Sequence, residues 1–139
     1  MSSGLADFAT LNPDAWTEPF WLAARDHRLV VPRCVNCQTF RFPPTSFCFE
    51  CTHQDVDLVE VPGTGTIYTF TIARHAVVPS LADAVPYAVA VVSIDGAPGV
   101  RMIANIVESD LDAIEIDAAV EVVWDDVDDV TIPRFKLSA

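Results

Sequence analysis

The sequence predicts a mainly β protein with an N-terminal helix, a ribbon built on four cysteines, and a small C-terminal barrel of five strands. Two observations predict this architecture. All four cysteines fall into two Cys-x-x-Cys pairs, and five segments with strand-like patterns follow Gly63. The chain has 139 residues, 51% of them hydrophobic, which suits one compact domain or a domain with a small module attached, because domains commonly have about 100–200 residues.

The first predicted element is a helix over residues 16–28, preceded by a flexible tail over 1–15. The tail is rich in small and polar residues, as termini often are. Thr17 suits the N-cap, and Pro19 suits the first turn, where its missing N–H leaves no hydrogen bond unmade. The helical spacing i, i+4, i+7 then places three residues on one face: Phe20, Ala24 and His27.

The ribbon is predicted over residues 29–61 and opens with a short strand at 29–31. Each Cys-x-x-Cys pair forms a tight turn, or knuckle, that can aim two sulfurs at one ion, so two knuckles supply a closed tetrahedral set. The four candidate metal ligands are Cys34, Cys37, Cys48 and Cys51. Aromatic residues and prolines between the pairs provide the small apolar cover that such a module needs. This pattern predicts one structural Zn²⁺.

The same four thiolates suit two other kinds of site. Iron, in an iron–sulfur cluster or a rubredoxin-type site, takes the same ligands, and a metal assay separates it from zinc. A redox-active Cys-x-x-Cys is the other alternative, but neither pair has the βαβ context of a thioredoxin-like motif. Where all four thiolates hold a metal, no cysteine remains as a nucleophile. We then expect no catalytic residue in this chain.

The barrel is predicted over residues 62–139. In its first strand, the alternation places Tyr68, Phe70 and Ile72 on one face, and Pro133 marks the last strand as an edge strand or a bulge. Five strands and one long loop suit a Greek-key barrel of the oligonucleotide/oligosaccharide-binding (OB) type, with an open sandwich as the alternative. The strands are expected at 66–72, 87–94, 100–107, 119–124 and 130–136, with an acidic turn or short helix at 108–117.

The charge of the chain argues against several function classes. There are 20 acidic residues against 8 Lys and Arg, a formal net charge of −12. Because nucleic acids and anionic membranes both attract Lys and Arg, both partners are disfavoured. No apolar stretch approaches the roughly 20 residues of a membrane-spanning helix, and no secretory signal is visible. We therefore expect a cytoplasmic protein with reduced cysteines.

Half of the basic residues lie between the helix and the ribbon: Arg25, Arg28, Arg33 and Arg41. Arginine suits phosphate because its planar fork donates two parallel hydrogen bonds. The alternative is that these residues only offset the acidic surface. Near the other end of the chain, the acidic pairs at 125–126 and 128–129 are interpreted as a solvated hairpin tip, since their spacing matches no cation-binding loop.

The order of these motifs resembles the acyl-CoA-associated zinc-ribbon/OB-fold family, long catalogued as a domain of unknown function. The resemblance covers about residues 20–135. The chain departs from the family at 117–119, before the fourth barrel strand, and after each knuckle, where Gln38 and Thr52 replace a common glycine. Besides the knuckles, the resemblance rests on Arg41-Phe42-Pro43-Pro44, Gly63-Thr64-Gly65-Thr66-Ile67-Tyr68, Pro86-Tyr87 and Ile132-Pro133-Arg134-Phe135.

The resemblance implies a rubredoxin-like zinc ribbon, an OB-fold barrel and a non-catalytic role beside thiolase-fold enzymes that act on acyl-CoA thioesters. Such partners are acetoacetyl-CoA thiolases and the lipid-transfer-protein-type aldolases that shorten sterol side chains. Family members also occur joined to hydratase-like chains, which adds a hydratase as a partner. The acyl-CoA would be shared with the partner subunit, and its phosphates would lie where the partner or four arginines supply positive charge: Arg25, Arg28, Arg33 and Arg41. Two other functions stay open: a nucleic-acid-binding ribbon and OB module, and a rubredoxin-like electron carrier.

Overall fold

The structure, a computed structural model that describes residues 11–138, consists of a helix, a two-stranded hairpin and a closed five-stranded barrel. Helix α1 spans Glu18–Arg25, and the hairpin pairs β1, Leu29–Cys34, with β2, Val56–Val61. The predicted mainly β class is confirmed. Within the described residues, no helix is long and apolar enough to cross a membrane. The barrel strands are β3 Thr64–Ala73, β4 Tyr87–Ile94, β5 Arg101–Ile106, β6 Ala119–Val127 and β7 Val130–Leu137.

The start of α1 is fixed by Asp14. Its Oδ1 accepts hydrogen bonds from the backbone N–H groups of Trp16 at 2.9 Å and Thr17 at 2.8 Å. Bonds from these N–H groups, the one from Thr17 being the larger contribution, hold the pKa of the Asp14 carboxyl below its usual value. Thr17 occupies the N-cap position, as the sequence predicts, but its side chain makes no cap hydrogen bond. The side chain that accepts from the N–H groups of Trp16 and Thr17 at this helix start is that of Asp14, and a charged carboxylate is a stronger acceptor than a hydroxyl oxygen.

The end of α1 comes earlier than the predicted range 16–28. The helix stops at Arg25, and His27 has a φ of 57°, a left-handed conformation that ends helices. His27 therefore does not extend the face that Phe20 and Ala24 form. Its ring stacks instead on Trp124 of β6, with 5.5 Å between the centroids. Residues 1–10 of the predicted tail lie outside the described part of the chain.

The β1–β2 hairpin is antiparallel; Cys34 ends β1, and the other three cysteines lie in the long connection between the strands. Pairing runs from Leu29 opposite Val61 to Cys34 opposite Val56. The sequence prediction includes β2 in the ribbon but does not identify it as a strand. Three of its six residues are exposed, the two acids and Leu58, and one is buried, so neither a buried run nor a regular alternation is visible in the sequence.

The barrel closes in the strand order β3-β4-β5-β7-β6. Its neighbouring pairs are antiparallel except for β5 and β7, which are parallel and share one register pair, Ile106 opposite Phe135. The seam between β5 and β7 is therefore the part of the wall with the least backbone pairing. Pro133 lies in the portion of β7 that pairs with β6 alone. This position explains how a proline fits into the wall of a closed barrel.

A β-bulge in β3 changes the face that Tyr68 occupies. The register with β4 shifts between Ile67 and Thr69, so Tyr68 has no cross-strand partner on β4. Ile67 is buried in the core and Phe70 and Ile72 pack against it, whereas Tyr68 is 49% exposed. The predicted common face is therefore wrong for Tyr68, which points outward.

One hydrophobic core serves the helix, the hairpin and the barrel. Phe20 of α1, Leu29 and Val31 of β1 and Val61 of β2 belong to the same buried cluster as the barrel interior. The barrel contributes inward side chains such as Ile67, Val92, Met102, Val120 and Phe135. The cysteine-bearing loop thus projects from a base that is anchored on the barrel.

Candidate metal centre

The four cysteines converge between the two knuckles. All four sulfur atoms lie within 4.8 Å of one another, with Cys34 Sγ 3.6 Å from Cys51 Sγ and Cys37 Sγ 3.5 Å from Cys48 Sγ. In a tetrahedral zinc site with Zn–S bonds of about 2.3 Å, neighbouring sulfurs are about 3.8 Å apart. The residues therefore fit one four-coordinate ion, as the sequence predicts.

Each knuckle is closed by a backbone hydrogen bond from a residue with a left-handed backbone. The N–H of Gln38 donates to the Cys34 carbonyl at 3.0 Å, and that of Thr52 donates to the Cys48 carbonyl at 2.9 Å. Gln38 has a φ of 68° and Thr52 a φ of 66°, a region that glycine enters without steric cost. Asp117, before β6, has a φ of 69°. Gln38 and Thr52 occupy positions where the resemblance leads us to expect glycine, and Asp117 belongs to the segment 117–119 where the resemblance implies a third.

Backbone N–H groups favour the thiolate form of Cys34. A bond from the N–H of Cys37 and a weaker one from Asn36 lower the pKa of the Cys34 thiol from 9.0 to about 6, although burial opposes this change. In the second knuckle, the N–H of Glu50 donates to Cys48 Sγ at 3.4 Å. Because a cysteine must lose its proton to bind a metal, these turns prepare the site for a cation.

Arg41 lies at the centre of the ribbon. It is 2% exposed, and its guanidinium donates to the carbonyls of Thr45 at 2.8 Å, His53 at 3.1 Å and Gln54 at 3.5 Å. The His53 carbonyl also accepts the N–H of Cys48 at 2.9 Å. Arg41 thus ties the loop before the second knuckle to the chain that leaves it. It is enclosed and not available to a phosphate, in contrast to the sequence prediction.

The other three predicted arginines have separate environments. Arg33 is half-buried, with its guanidinium carbon 5.9 Å from the ring centroid of Phe40. Arg28 is exposed, and its Nη1 lies 3.3 Å from Glu60 Oε1. Arg25, also exposed, lines a small cavity of about 70 Å³ between α1 and the start of β7. The fold therefore does not hold the four arginines as one preformed anion site.

A buried polar network crosses the barrel wall where the sequence suggests a solvated tip. Asp125 is 2% exposed and accepts from Arg134 Nε at 2.8 Å, while Arg134 Nη1 donates to Asn105 Oδ1 at 2.6 Å. Asn105 in turn donates to the Ala88 carbonyl at 3.1 Å. These bonds link β6, β7, β5 and β4, and so they bridge the seam that has little backbone pairing. The feature of the sequence that could have indicated this network is Arg134, a charged residue within the largely apolar last strand.

Asp126, the next acid along β6, connects the β6–β7 hairpin to His27, just after the end of α1. Its Oδ2 lies 3.0 Å from His27 Nε2, and its Oδ1 accepts from Thr131 Oγ1 at 2.6 Å. The Thr131 hydroxyl, followed by His27, holds the pKa of the Asp126 carboxyl below its usual value. Asp126 is thus a structural contact between elements.

Two family models match the chain. One describes the rubredoxin-like zinc ribbon domain of ChsH2 and matches residues 21–57, and the other describes the ChsH2 C-terminal OB-fold domain and matches residues 58–125. A solved chain described as Ltp2-ChsH2(DUF35) aldolase is 33% identical, with a TM-score of 0.83 over 94% of this chain and 100% of that chain. The chain belongs to the ChsH2 (DUF35) family. This ChsH2-family chain therefore has the zinc ribbon and OB-fold that the resemblance implies.

Two curated proteins are also similar to this ChsH2-family chain. A Thermomonospora curvata protein named probable enoyl-CoA hydratase alpha subunit is 40% identical over 119 residues, which are 84% of this chain. The chain spans 36% of the length of that relative. A DUF35 domain-containing scaffold protein of Methanothermobacter thermautotrophicus is 29% identical over 99 residues, 70% of this chain and 72% of that protein. A DUF35-family structure from Sulfolobus solfataricus, 14% identical, shares the fold with a TM-score of 0.62 over 89% and 86% of the two chains.

Proposed function

We propose that this chain is a non-catalytic accessory subunit or domain that docks and supports a thiolase-fold aldolase or thiolase acting on acyl-CoA thioesters. The observation that carries the proposal is the likeness to the ChsH2 chain of an Ltp2-ChsH2 aldolase, at 33% identity over 100% of that chain. The family resemblance suggests sterol side-chain degradation as the setting.

The chemistry of the cysteines supports an accessory role. Four thiolates form a closed set around one ion and leave no coordination position for water or substrate. A metal held in this way supplies structure to the two knuckles. The catalytic residues would then belong to the partner enzyme. A hydratase is a second partner in this proposal, because one relative is named a hydratase subunit.

The acyl-CoA would lie between this chain and its partner. A net charge of −12 disfavours a phosphate site built from this chain alone. Arg25 and Arg28, both exposed near the end of α1, are the candidates that this chain offers to the CoA phosphates, while Arg33 is half-buried and Arg41 is enclosed. The partner would supply the remaining positive charge.

Affinity purification of the tagged chain from its source cell tests the accessory role. We expect a thiolase-fold enzyme to co-purify, and we expect added chain to raise that enzyme's thermal stability and its turnover of acyl-CoA. Arg25→Glu combined with Arg28→Glu should raise KM for the acyl-CoA with little change in kcat, because distant phosphates bind alike in the ground and transition states. The proposal fails if no thiolase-fold protein co-purifies and the chain changes neither stability nor turnover.

Metal analysis separates the accessory role from that of an electron carrier. We expect a colourless protein that contains zinc, because cysteine-bound iron absorbs visible light. A coloured, iron-containing protein that reversibly accepts an electron would favour the electron carrier instead.

A further inference from the structure

The outward face of β3, β4 and β5 carries uncovered apolar side chains in register. Thr69, Val91 and Ile103 lie in one row across the three strands, and Tyr68 lies at the bulge beside that row. Ile103 is 74% and Tyr68 49% exposed, while Val91 and its neighbour Val89 are half-buried. Single exposed apolar residues are ordinary, but adjoining ones on a sheet face form a patch that marks an interaction site.

The central part of this face lacks acidic residues. On this face, the row of Ile103 lies between two further rows, which consist of Thr71, Val89 and Asn105 and of Thr66, Ser93 and Arg101. The three rows contain no Asp or Glu and a single base, Arg101, in a chain that has 20 acids. The remaining positions are small and polar. A macromolecule that approaches this face therefore meets less repulsion from the net charge of −12 than it would elsewhere.

Arg101 stacks on Tyr68 beside the apolar row. Its guanidinium carbon lies 3.8 Å from the centroid of the Tyr68 ring, a cation–π stack. Among the described residues, Arg101 forms no salt bridge. Tyrosine and arginine are among the residue types that most often dominate the binding energy of protein interfaces. The geometry points to this face as the docking surface for a partner protein, whose apolar surface covers Ile103 and Val91 and whose carboxylate meets Arg101.

The charges favour a different protein over two other occupants. A second copy would bring together two chains of charge −12 each, which opposes self-association. A single-stranded nucleic acid could stack on Tyr68, but this face offers one cation, and such binding depends on a groove of positive charge. That the partner is a thiolase-fold subunit rests on the proposed function.

Photo-crosslinking from single positions of the full chain, in its source cell, tests the docking surface. The variant Ile103→benzoylphenylalanine is expected to crosslink to an identified thiolase-fold subunit. The same substitution at Phe49, 71% exposed on the ribbon, and at Leu22, 48% exposed on α1, provides matched controls. These should give little of that product. A crosslink from position 103 to an identified protein that is neither a thiolase-fold enzyme nor a hydratase would keep the docking surface and contradict the proposed function.

Three outcomes of the crosslinking would overturn the docking surface. They are a product from position 103 with a second copy of the chain, a product with nucleic acid, and no product from that position. A product that forms from Phe49 or Leu22 as readily as from Ile103 would overturn it as well.

Binding measurements with a purified partner provide an independent test. Ile103→Asp and, separately, Arg101→Glu should weaken the affinity at least about 30-fold, the scale of an interface hot spot. Phe49→Asp and Leu22→Asp should leave it unchanged. Thermal unfolding verifies that each variant folds, and Ile103→Ser replaces Ile103→Asp if the latter does not. Affinity that survives at both Ile103 and Arg101 would overturn the docking surface and leave the proposed function intact.

Discussion

At the scale of single residues, the knuckles hold backbone strain that glycine would relieve. A non-glycine residue in the left-handed region costs about 1–2 kcal/mol, and a β-branched one is especially disfavoured. Thr52→Gly should therefore raise the free energy of unfolding by about 0.5–1 kcal/mol, after subtraction of the extra freedom that glycine has in the unfolded chain. Gln38→Gly should act in the same direction. The measurement is thermal unfolding of the metal-bound chain.

Thr66→Gly is the matched control for this prediction. Thr66 lies in β3 and is not among the residues with positive φ, so its replacement should lower the free energy of unfolding by about 0.5–1 kcal/mol. If Thr52→Gly destabilises the chain as Thr66→Gly does, the Thr52 side chain contributes more to the knuckle than its strain costs.

Arg134 is the single residue whose loss should cost the most stability. Arg134→Met would leave the Asp125 carboxyl without its ion-pair partner at a position where its side chain is 2% exposed. We expect the free energy of unfolding to fall by about 3–5 kcal/mol, as for other broken buried ion pairs. Denaturant unfolding followed by tryptophan fluorescence measures it. The double variant Arg134→Met with Asp125→Leu should regain most of the loss. A double variant as unstable as the single one would assign the effect to the lost bond to Asn105.

At the scale of the elements, the ribbon depends on Arg41 as well as on the metal. Arg41→Met would leave three backbone carbonyls without their charged donor. Because a hydrogen bond to a charged group contributes about 1.5–3 kcal/mol, we expect zinc to transfer to a chromogenic chelator at least about tenfold faster. Arg25→Met, which changes an exposed arginine, is the control. An unchanged transfer rate would show that Arg41 does not position the second knuckle.

The contact between α1 and the β6–β7 hairpin should weaken in acid. Because the pKa of Asp126 is lower in the folded chain than its usual value, stabilisation by the carboxylate is complete above about pH 4 and is lost as the pH falls through the lowered pKa. Asp126→Asn should therefore lower the unfolding temperature at neutral pH, and its difference from the unmodified chain should shrink in acid. Asp83→Asn, in the exposed β3–β4 loop, is the control. A difference that does not vary with pH would mean that the charge of Asp126 is unimportant.

The elements that the sequence predicts well are those with a local signal. Cys-x-x-Cys spacing identifies the metal site, and an apolar run locates β4 at 87–94, the extent found in the structure. Contacts that depend on the folded register could not be predicted. The pairing of Asp125 with Arg134 joins two strands, and Arg41 finds its carbonyl partners only after the ribbon has formed. The bulge at Tyr68 is likewise a property of the β3–β4 pair, whereas a sequence pattern describes one strand at a time.

At the scale of the whole molecule, order comes from two sources, a continuous hydrophobic core and the metal site. Phe20, Leu29 and Val31 share that core with the barrel, so α1 and the base of the hairpin do not depend on the metal for packing. The loop between β1 and β2 contributes Phe40 and Phe42, both partly buried, at the margin of the core. The rest of this loop therefore relies on the thiolate site and on Arg41.

Removal of the metal should unfold the loop and leave the barrel folded. After chelation, we expect hydrogen exchange to show lost amide protection at 35–55 and retained protection in β4 and β6, because Val92, Val120 and Phe135 are fully buried in the barrel. Metal-ligand bonds supply the folding free energy only where a module has little core of its own. Cys51→Ser should reproduce this pattern in the presence of zinc, and Ser46→Ala, in the same loop, should not. Loss of protection in β4 and β6 together with the loop would instead show that ribbon and barrel unfold as one cooperative unit, with the metal stabilising both.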